Sequence, residues 1–111
     1  MIESCRGLEN NMRAVVAICT RNRPLQLARA LHSLETVLEA GYDVLVVDNA
    51  PSSTQTRKLV EADFPKVRYV EELREGLDFA RNRAIQETDA EIIAFLDDDA
   101  VAECDWLESL V

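Results

Sequence analysis

Ala14-Val-Val-Ala-Ile-Cys-Thr-Arg-Asn-Arg-Pro24 joins two signals within eleven residues. Its first six residues form a continuous apolar run rich in β-branched side chains, which suits a strand buried on both faces. The polar residues Thr20 to Arg23 then lead into Pro24, which fits the first turn of a helix because its missing N–H is not needed there. Leu27, Leu31, Leu34 and Leu38 continue at helical spacing as one apolar stripe, and Gly41 predicts the stop of that helix.

The same alternation repeats along the chain. Val44–Val47 reads as a second strand, with Asp48-Asn49 following it and Pro51–Thr54 as a loop and helix cap. A short helix is predicted over Gln55–Asp63. Val67–Val70 is a weaker, more polar strand suited to a sheet edge, and Glu71–Gly76 a loop. Leu77, Ala80 and Ala84 mark a third helix, and Ile92–Leu96 a fourth strand running into Asp97-Asp98-Asp99. A last helical stretch is expected from near Cys104 to Val111. The order β-α-β-α-β-α-β predicts an α/β fold: a mostly parallel open sheet, strand order 3-2-1-4, with helices on both faces. Residues 1–13 read as a polar leader.

Composition narrows the function. The 111 residues include 12 basic and 21 acidic side chains, a formal net charge of −9. That balance disfavours nucleic acid as a partner, since phosphate contacts depend on Lys and Arg. No apolar run reaches the roughly 18 residues of a membrane span, and no secretory signal is visible. Cys5, Cys19 and Cys104 form no CxxC pair, which fits a reducing cytoplasm. His32 is the only histidine, so neither a His/Cys zinc site nor a Ser-His-Asp triad finds support.

Open parallel sheets bind ligands beyond the carboxyl ends of their strands, and the unusual polar clusters all lie at such ends. Asp97-Asp98-Asp99 combines like charges against an apolar strand. Mg²⁺ or Mn²⁺ would offset their repulsion, while a solvated turn capping the next helix is the alternative. Asp48 can accept from the imide N–H of uracil, thymine or guanine, or can form an Asx turn. Thr20 to Arg23 offer donors for an anion, or a capping loop. Arg81-Asn82-Arg83 can point back to the rim, or form surface ion pairs with Glu87 or Asp78. Neither GxGxxG nor GxxxxGK[ST] is present. A divalent ion bridging carboxylates and a diphosphate would unite these clusters.

The set Val16–Pro24, Val46-Val-Asp-Asn49, Glu75–Arg83 and Phe95-Leu-Asp-Asp-Asp99 resembles the family 2 glycosyltransferases of the GT-A fold, over about residues 14–111. The resemblance implies an inverting, metal-dependent transfer of a sugar from a nucleoside-diphosphate sugar to the hydroxyl of an unnamed acceptor; the donor's base is left open among uracil, thymine and guanine, with uracil or thymine favoured. It implies that Thr20 and Arg23 line the nucleotide pocket, Asp48 holds the base and Arg81 meets base or diphosphate. It further implies that Asp97 or Asp98 meets the ribose, with Asp97 preferred, and that Asp99 binds the metal through an Asp-x-Asp pattern. Members of that family continue well beyond the acidic motif, so residues 14–111 are expected to be the donor-binding half, with acceptor site and catalytic base elsewhere. The location expected is cytoplasmic, with peripheral membrane association an option for a longer parent. Two other readings are a non-catalytic nucleotide- or metal-binding remnant, and a phosphoacceptor domain. The second needs an acidic pair after the first strand, where Cys19-Thr20-Arg21 stands.

Overall fold

The computed structural model describes residues 13–103 and 105–110. The leader up to residue 12, and both ends of the last predicted helix, Cys104 and Val111, lie outside the described residues. Arg13, assigned to the leader, is hydrogen-bonded into the fold. Its carbonyl accepts from the N–H groups of Glu91 and Ile92, and its side chain pairs with Asp89 at 3.1 Å.

Among the described residues, nine elements follow in order: β1 (Ala14–Thr20), α1 (Pro24–His32), α2 (Glu35–Glu39), β2 (Asp43–Asn49), α3 (Gln55–Asp63), β3 (Arg68–Glu72), α4 (Leu77–Gln86), β4 (Ile92–Phe95) and α5 (Trp106–Leu110). The four strands form one sheet in the order β3-β2-β1-β4, and every pairing is parallel. This is the predicted order. The two central strands, β1 and β2, carry long apolar runs, which suits burial on both faces. β3 is at an edge, as its more polar sequence predicts.

Strand residues alternate between two cores. Val16, Ile18, Val44 and Val46 face Leu27, Leu31 and Leu34, with Val37, Val60, Phe64 and Leu107 completing a core built with α1, α2, α3 and α5. Val15, Ala17, Leu45 and Val47 face Ala80 and Ala84 of α4. Helices therefore cover both faces.

Three local expectations change. The helix predicted from Pro24 to Gly41 is two helices. The Ser33 hydroxyl donates to the Ala30 carbonyl at 2.6 Å and accepts from Ala102 N–H at 2.9 Å, while Leu34 N–H reaches Leu31 only three residues back. This tightened turn lets Val37 take the buried position that the stripe gave to Leu38, which is only partly buried. Gly41 ends the segment at φ +95°, a conformation favourable to glycine. Asp48 and Asn49 belong to β2, and Glu71 and Glu72 to β3, because the pairs Asp48↔Glu71 and Asn49↔Glu72 extend the ladder beyond its apolar stretch. Leu77, placed on the apolar stripe of its helix, is 53% exposed.

Candidate functional site

The carboxyl ends of β1, β2 and β4 and the start of α4 surround a cleft of about 550 Å³. The β1 end supplies Thr20, Arg21 and Arg23. Asn22 between them adopts φ +57°, and its side chain both donates to Ser52 Oγ (3.0 Å) and accepts from Ser52 N–H (2.9 Å). That clasp ties the loop after β1 to the loop after β2. Arg23 is the residue before α1, and no side-chain hydrogen bond caps that helix.

Asp97, Asp98 and Asp99 form the opposite wall and differ sharply in setting. Asp98 is buried. Its Oδ2 accepts from Thr20 Oγ1 at 2.8 Å and its Oδ1 from Arg23 at 3.3 Å. Asp97 and Asp99 are exposed on either side. The alternation Leu96 in, Asp97 out, Asp98 in, Asp99 out continues the strand's period of two. Asp98 thus latches the acidic turn to β1, and the Asp97 and Asp99 carboxylates have no hydrogen-bond or ion-pair partner among the described residues. Among the described residues, no group of three metal-ligating side chains converges on one point. Two free carboxylate ligands are what Mg²⁺ or Mn²⁺ takes from protein when phosphates and water complete its shell. The residues therefore fit such an ion only together with an anionic ligand.

Charge points the same way. The cleft carries Asp97, Asp98, Asp99 and Glu75 against Arg21 and Arg23, four negative charges against two positive. Arg21 pairs with Glu75 at 3.7 Å. Cys19 also lines the cleft. Burial pushes its thiol up to about 11, against the lowering influence of Arg81, which favours the protonated form near neutrality.

Five of the predicted positions line this cleft: Thr20, Arg23, Asp97, Asp98 and Asp99. Asp48 and Arg81 do not. Asp48 shares the face of Val44 and Val46 and is fully buried. Tyr69 donates its hydroxyl hydrogen bond to Asp48 Oδ2 and lies 3.3 Å from Glu71 Oε2. Asp48 Oδ1 has no hydrogen-bond partner among the described residues. Burial raises the Asp48 carboxyl above the usual carboxylate range, partly opposed by the Tyr69 hydrogen bond. Arg81 is exposed beside the cleft, its guanidinium 5.7 Å from the Phe95 ring centre. Arg83 forms the surface pair with Glu87, at 2.8 Å.

The residue that sequence reasoning missed is Asn49. It projects to the face opposite Asp48 and lines the cleft. No signal marks the choice, because Val46 and Val47 are equally apolar and nothing in their chemistry tells which neighbour follows which face.

The family model described as "Glycosyl transferase family 2" matches residues 15–111. Succinoglycan biosynthesis protein ExoM of Rhizobium meliloti (strain 1021) is 33% identical over 103 residues, 86% of this chain and 33% of that protein. The mannosyltransferase PcManGT from Pyrobaculum calidifontis, solved with GDP-Man and Mn²⁺, superposes with TM-score 0.67 at 26% identity, over 85% of this chain and 29% of its own. Glucosyl-3-phosphoglycerate synthase from Mycobacterium tuberculosis, solved with UDP, has the same fold at TM-score 0.71 and 18% identity, over 85% of this chain and 36% of its own. The chain thus spans about a third of the length of each.

Proposed function

Since the chain belongs to glycosyl transferase family 2, we propose that it is the donor-binding part of a metal-dependent glycosyltransferase of the GT-A fold. The observation that carries this reading is the division of labour in the acidic turn. Asp98 is locked to Thr20 and Arg23, while Asp97 and Asp99 are left exposed on the cleft. The ligand is a nucleoside-diphosphate sugar. Its diphosphate meets an excess of carboxylates, which a divalent cation at Asp99 reconciles. When bound, that cation stabilises the negative charge of the departing diphosphate. Arg21 and Arg23 add positive charge at the same rim, and Asp97 accepts from the ribose hydroxyls.

Transfer to an acceptor hydroxyl with inversion is the activity proposed for the whole protein. No residue of this chain is assigned as the base that deprotonates the acceptor. Uracil or thymine is the base favoured for the donor. Asp48, the position expected to read it, lies on the leucine-bearing face under Tyr69, so base choice passes to the residues that line the cleft. PcManGT carries GDP-Man, so guanine belongs in any test.

Thermal unfolding against UDP, TDP and GDP, with Mn²⁺ and with chelator, tests the reading. A ligand that binds only the folded chain stabilises it by roughly 2.7 kcal/mol at a hundredfold excess over Kd. The expected result is a rise in Tm that one diphosphate produces only with Mn²⁺, and that Asp99→Ala removes. An equal rise in chelator, or an unchanged rise in Asp99→Ala, overturns the metal assignment. No rise with any diphosphate overturns the donor site.

A further inference from the structure

We infer that Asn49 is the positioning residue that holds the α4 side of the cleft in place for the nucleotide. The inference rests on the donor-site reading above. The Asn49 side chain is 5% exposed and uses both functions of its amide. Its Nδ2 donates to the Glu72 carbonyl at 3.1 Å and to the Arg74 carbonyl at 2.7 Å. Its Oδ1 accepts from Gly76 N–H at 2.9 Å. One side chain at the end of β2 thereby ties the last residue of β3 to two points of the segment that leads on to α4.

Glu72 also holds Arg74 through its backbone N–H at 2.9 Å and its guanidinium at 3.1 Å, and that guanidinium lies 4.6 Å from the Phe79 ring centre, but among the described residues the Gly76 N–H donates to Asn49. Glu75, Gly76 and Leu77 line the cleft. Gly76 stands at φ +141°, a conformation that L side chains rarely adopt, immediately before α4. Leu77 is largely solvent-exposed, so apolar burial does not anchor the corner. Glu75 reaches across to Arg21 at 3.7 Å, so the position of the wall also sets the position of an arginine of the β1 loop. Only a carboxamide serves here. Aspartate keeps the acceptor for Gly76 but loses both donations and turns a charged oxygen toward two carbonyls. Alanine loses all three hydrogen bonds.

The test compares Asn49→Asp, Asn49→Ala and Gly76→Ala with the unchanged chain. Gly76→Ala displaces the same wall from its other end, since an added Cβ would be strained at that φ and would meet the Phe79 ring at 3.4 Å. Leu31→Val is a control that lowers stability far from the cleft. Two readouts are taken: the affinity for UDP or GDP with Mn²⁺, and amide exchange of Gly76 without ligand. All three cleft variants are expected to weaken nucleotide binding tenfold or more, and Leu31→Val less than twofold in the folded protein. Gly76 exchange should accelerate at least tenfold in Asn49→Ala and less in Asn49→Asp, which retains the acceptor. The exchange order separates this role from general destabilisation, which would treat both variants alike. Wild-type affinity in the Asn49 variants, or a loss no larger than that of Leu31→Val, overturns the inference, as does unchanged Gly76 exchange in Asn49→Ala. If the unchanged chain binds no nucleotide, the donor reading has failed, and the exchange measurement still decides whether Asn49 holds the wall.

Discussion

The two faces of the sheet are built from different materials. One packs Leu27 and Leu31 of α1, with Leu34 and Phe64 at the ends of neighbouring helices, against Val16, Ile18, Val44 and Val46. The other packs Ala80 and Ala84 of a single helix against Val15, Ala17, Leu45 and Val47. The larger apolar side chains of that helix point away: Leu77 and Ile85 are each 53% exposed and Phe79 39%. Apolar burial stabilises at roughly 25 cal/mol per Å², so the leucine face supplies most of the stability. The alanine face supplies the site. Small side chains let α4 approach the sheet closely, and its first turn then walls the cleft, with Cys19, Asn49 and Ala80 lining the floor.

The largest expected effect lies on the leucine face. Leu31 is fully buried, so Leu31→Ala should cost about 2–5 kcal/mol as a large-to-small core change. Chemical denaturation measures it. The folded fraction should still bind nucleotide with normal affinity, because the core that holds Leu31 contributes none of the residues lining the cleft. A loss well under 1 kcal/mol would mean that stability is not concentrated on this face.

The mirror-image change adds volume to the alanine face. Ala84 is fully buried against the sheet. Ala84→Leu should cost about 1–3 kcal/mol through overpacking, and it should also weaken nucleotide binding by pushing α4 outward. Stability and affinity fall together here, unlike in Leu31→Ala. Affinity that survives the substitution would show that the wall does not depend on how closely α4 sits.

Asp48 and Asn49, consecutive residues on opposite faces, give a smaller and pH-dependent contrast. Asp48 has a raised pKa because it is buried. A carboxyl raised in the folded state favours folding below its unfolded pKa of about 3.9, and that contribution is lost as pH rises through the folded value. Asp48→Asn removes the titration while keeping an acceptor for Tyr69. The stability of Asp48→Asn relative to the unchanged chain should therefore climb between about pH 4 and pH 7, whatever the constant offset from the new buried amide. Urea titrations across that range read the slope. A flat difference would mean that Asp48 ionises as freely in the folded chain as in the unfolded one.

This pair also marks how far the sequence could be read. The strands, their parallel order and the edge position of β3 follow from runs of apolar residues separated by helical stretches, a pattern that leaves few topologies open. The clustering of Thr20, Arg23 and Asp97–Asp99 follows from that topology. Which face each end residue takes does not. Val44–Val47 is buried on both sides, so the run has no polar alternation to carry the phase forward to Asp48 and Asn49. The break at Ser33 was hidden for a related reason. It depends on Ala102, far along the chain, and helical spacing contains no trace of such a contact. The acidic turn was half legible. Extending the period of two beyond β4 puts Asp97 and Asp99 outward and Asp98 inward, but the partners that lock Asp98 appear only once Thr20 and Arg23 are brought beside it.

The smallest effect falls at the seam between the two faces. Ala50 follows Asn49 at φ +44°, and its N–H donates to the Glu72 carbonyl at 2.8 Å. An L residue in this left-handed region carries a penalty of roughly 1–2 kcal/mol. Glycine escapes that penalty but loses more freedom on folding, about 0.5–1 kcal/mol relative to alanine. Ala50→Gly should therefore stabilise the chain by between about 0 and 1.5 kcal/mol, visible as a rise of a few degrees in Tm. Ala50 belongs to neither core. The gain should consequently add to the Leu31→Ala and Ala84→Leu losses without coupling to either, as distant independent sites do. A double variant whose stability departs from that sum would tie the seam to one face. A lower Tm in Ala50→Gly alone would show that the chain spends no strain in turning from β2 toward α3.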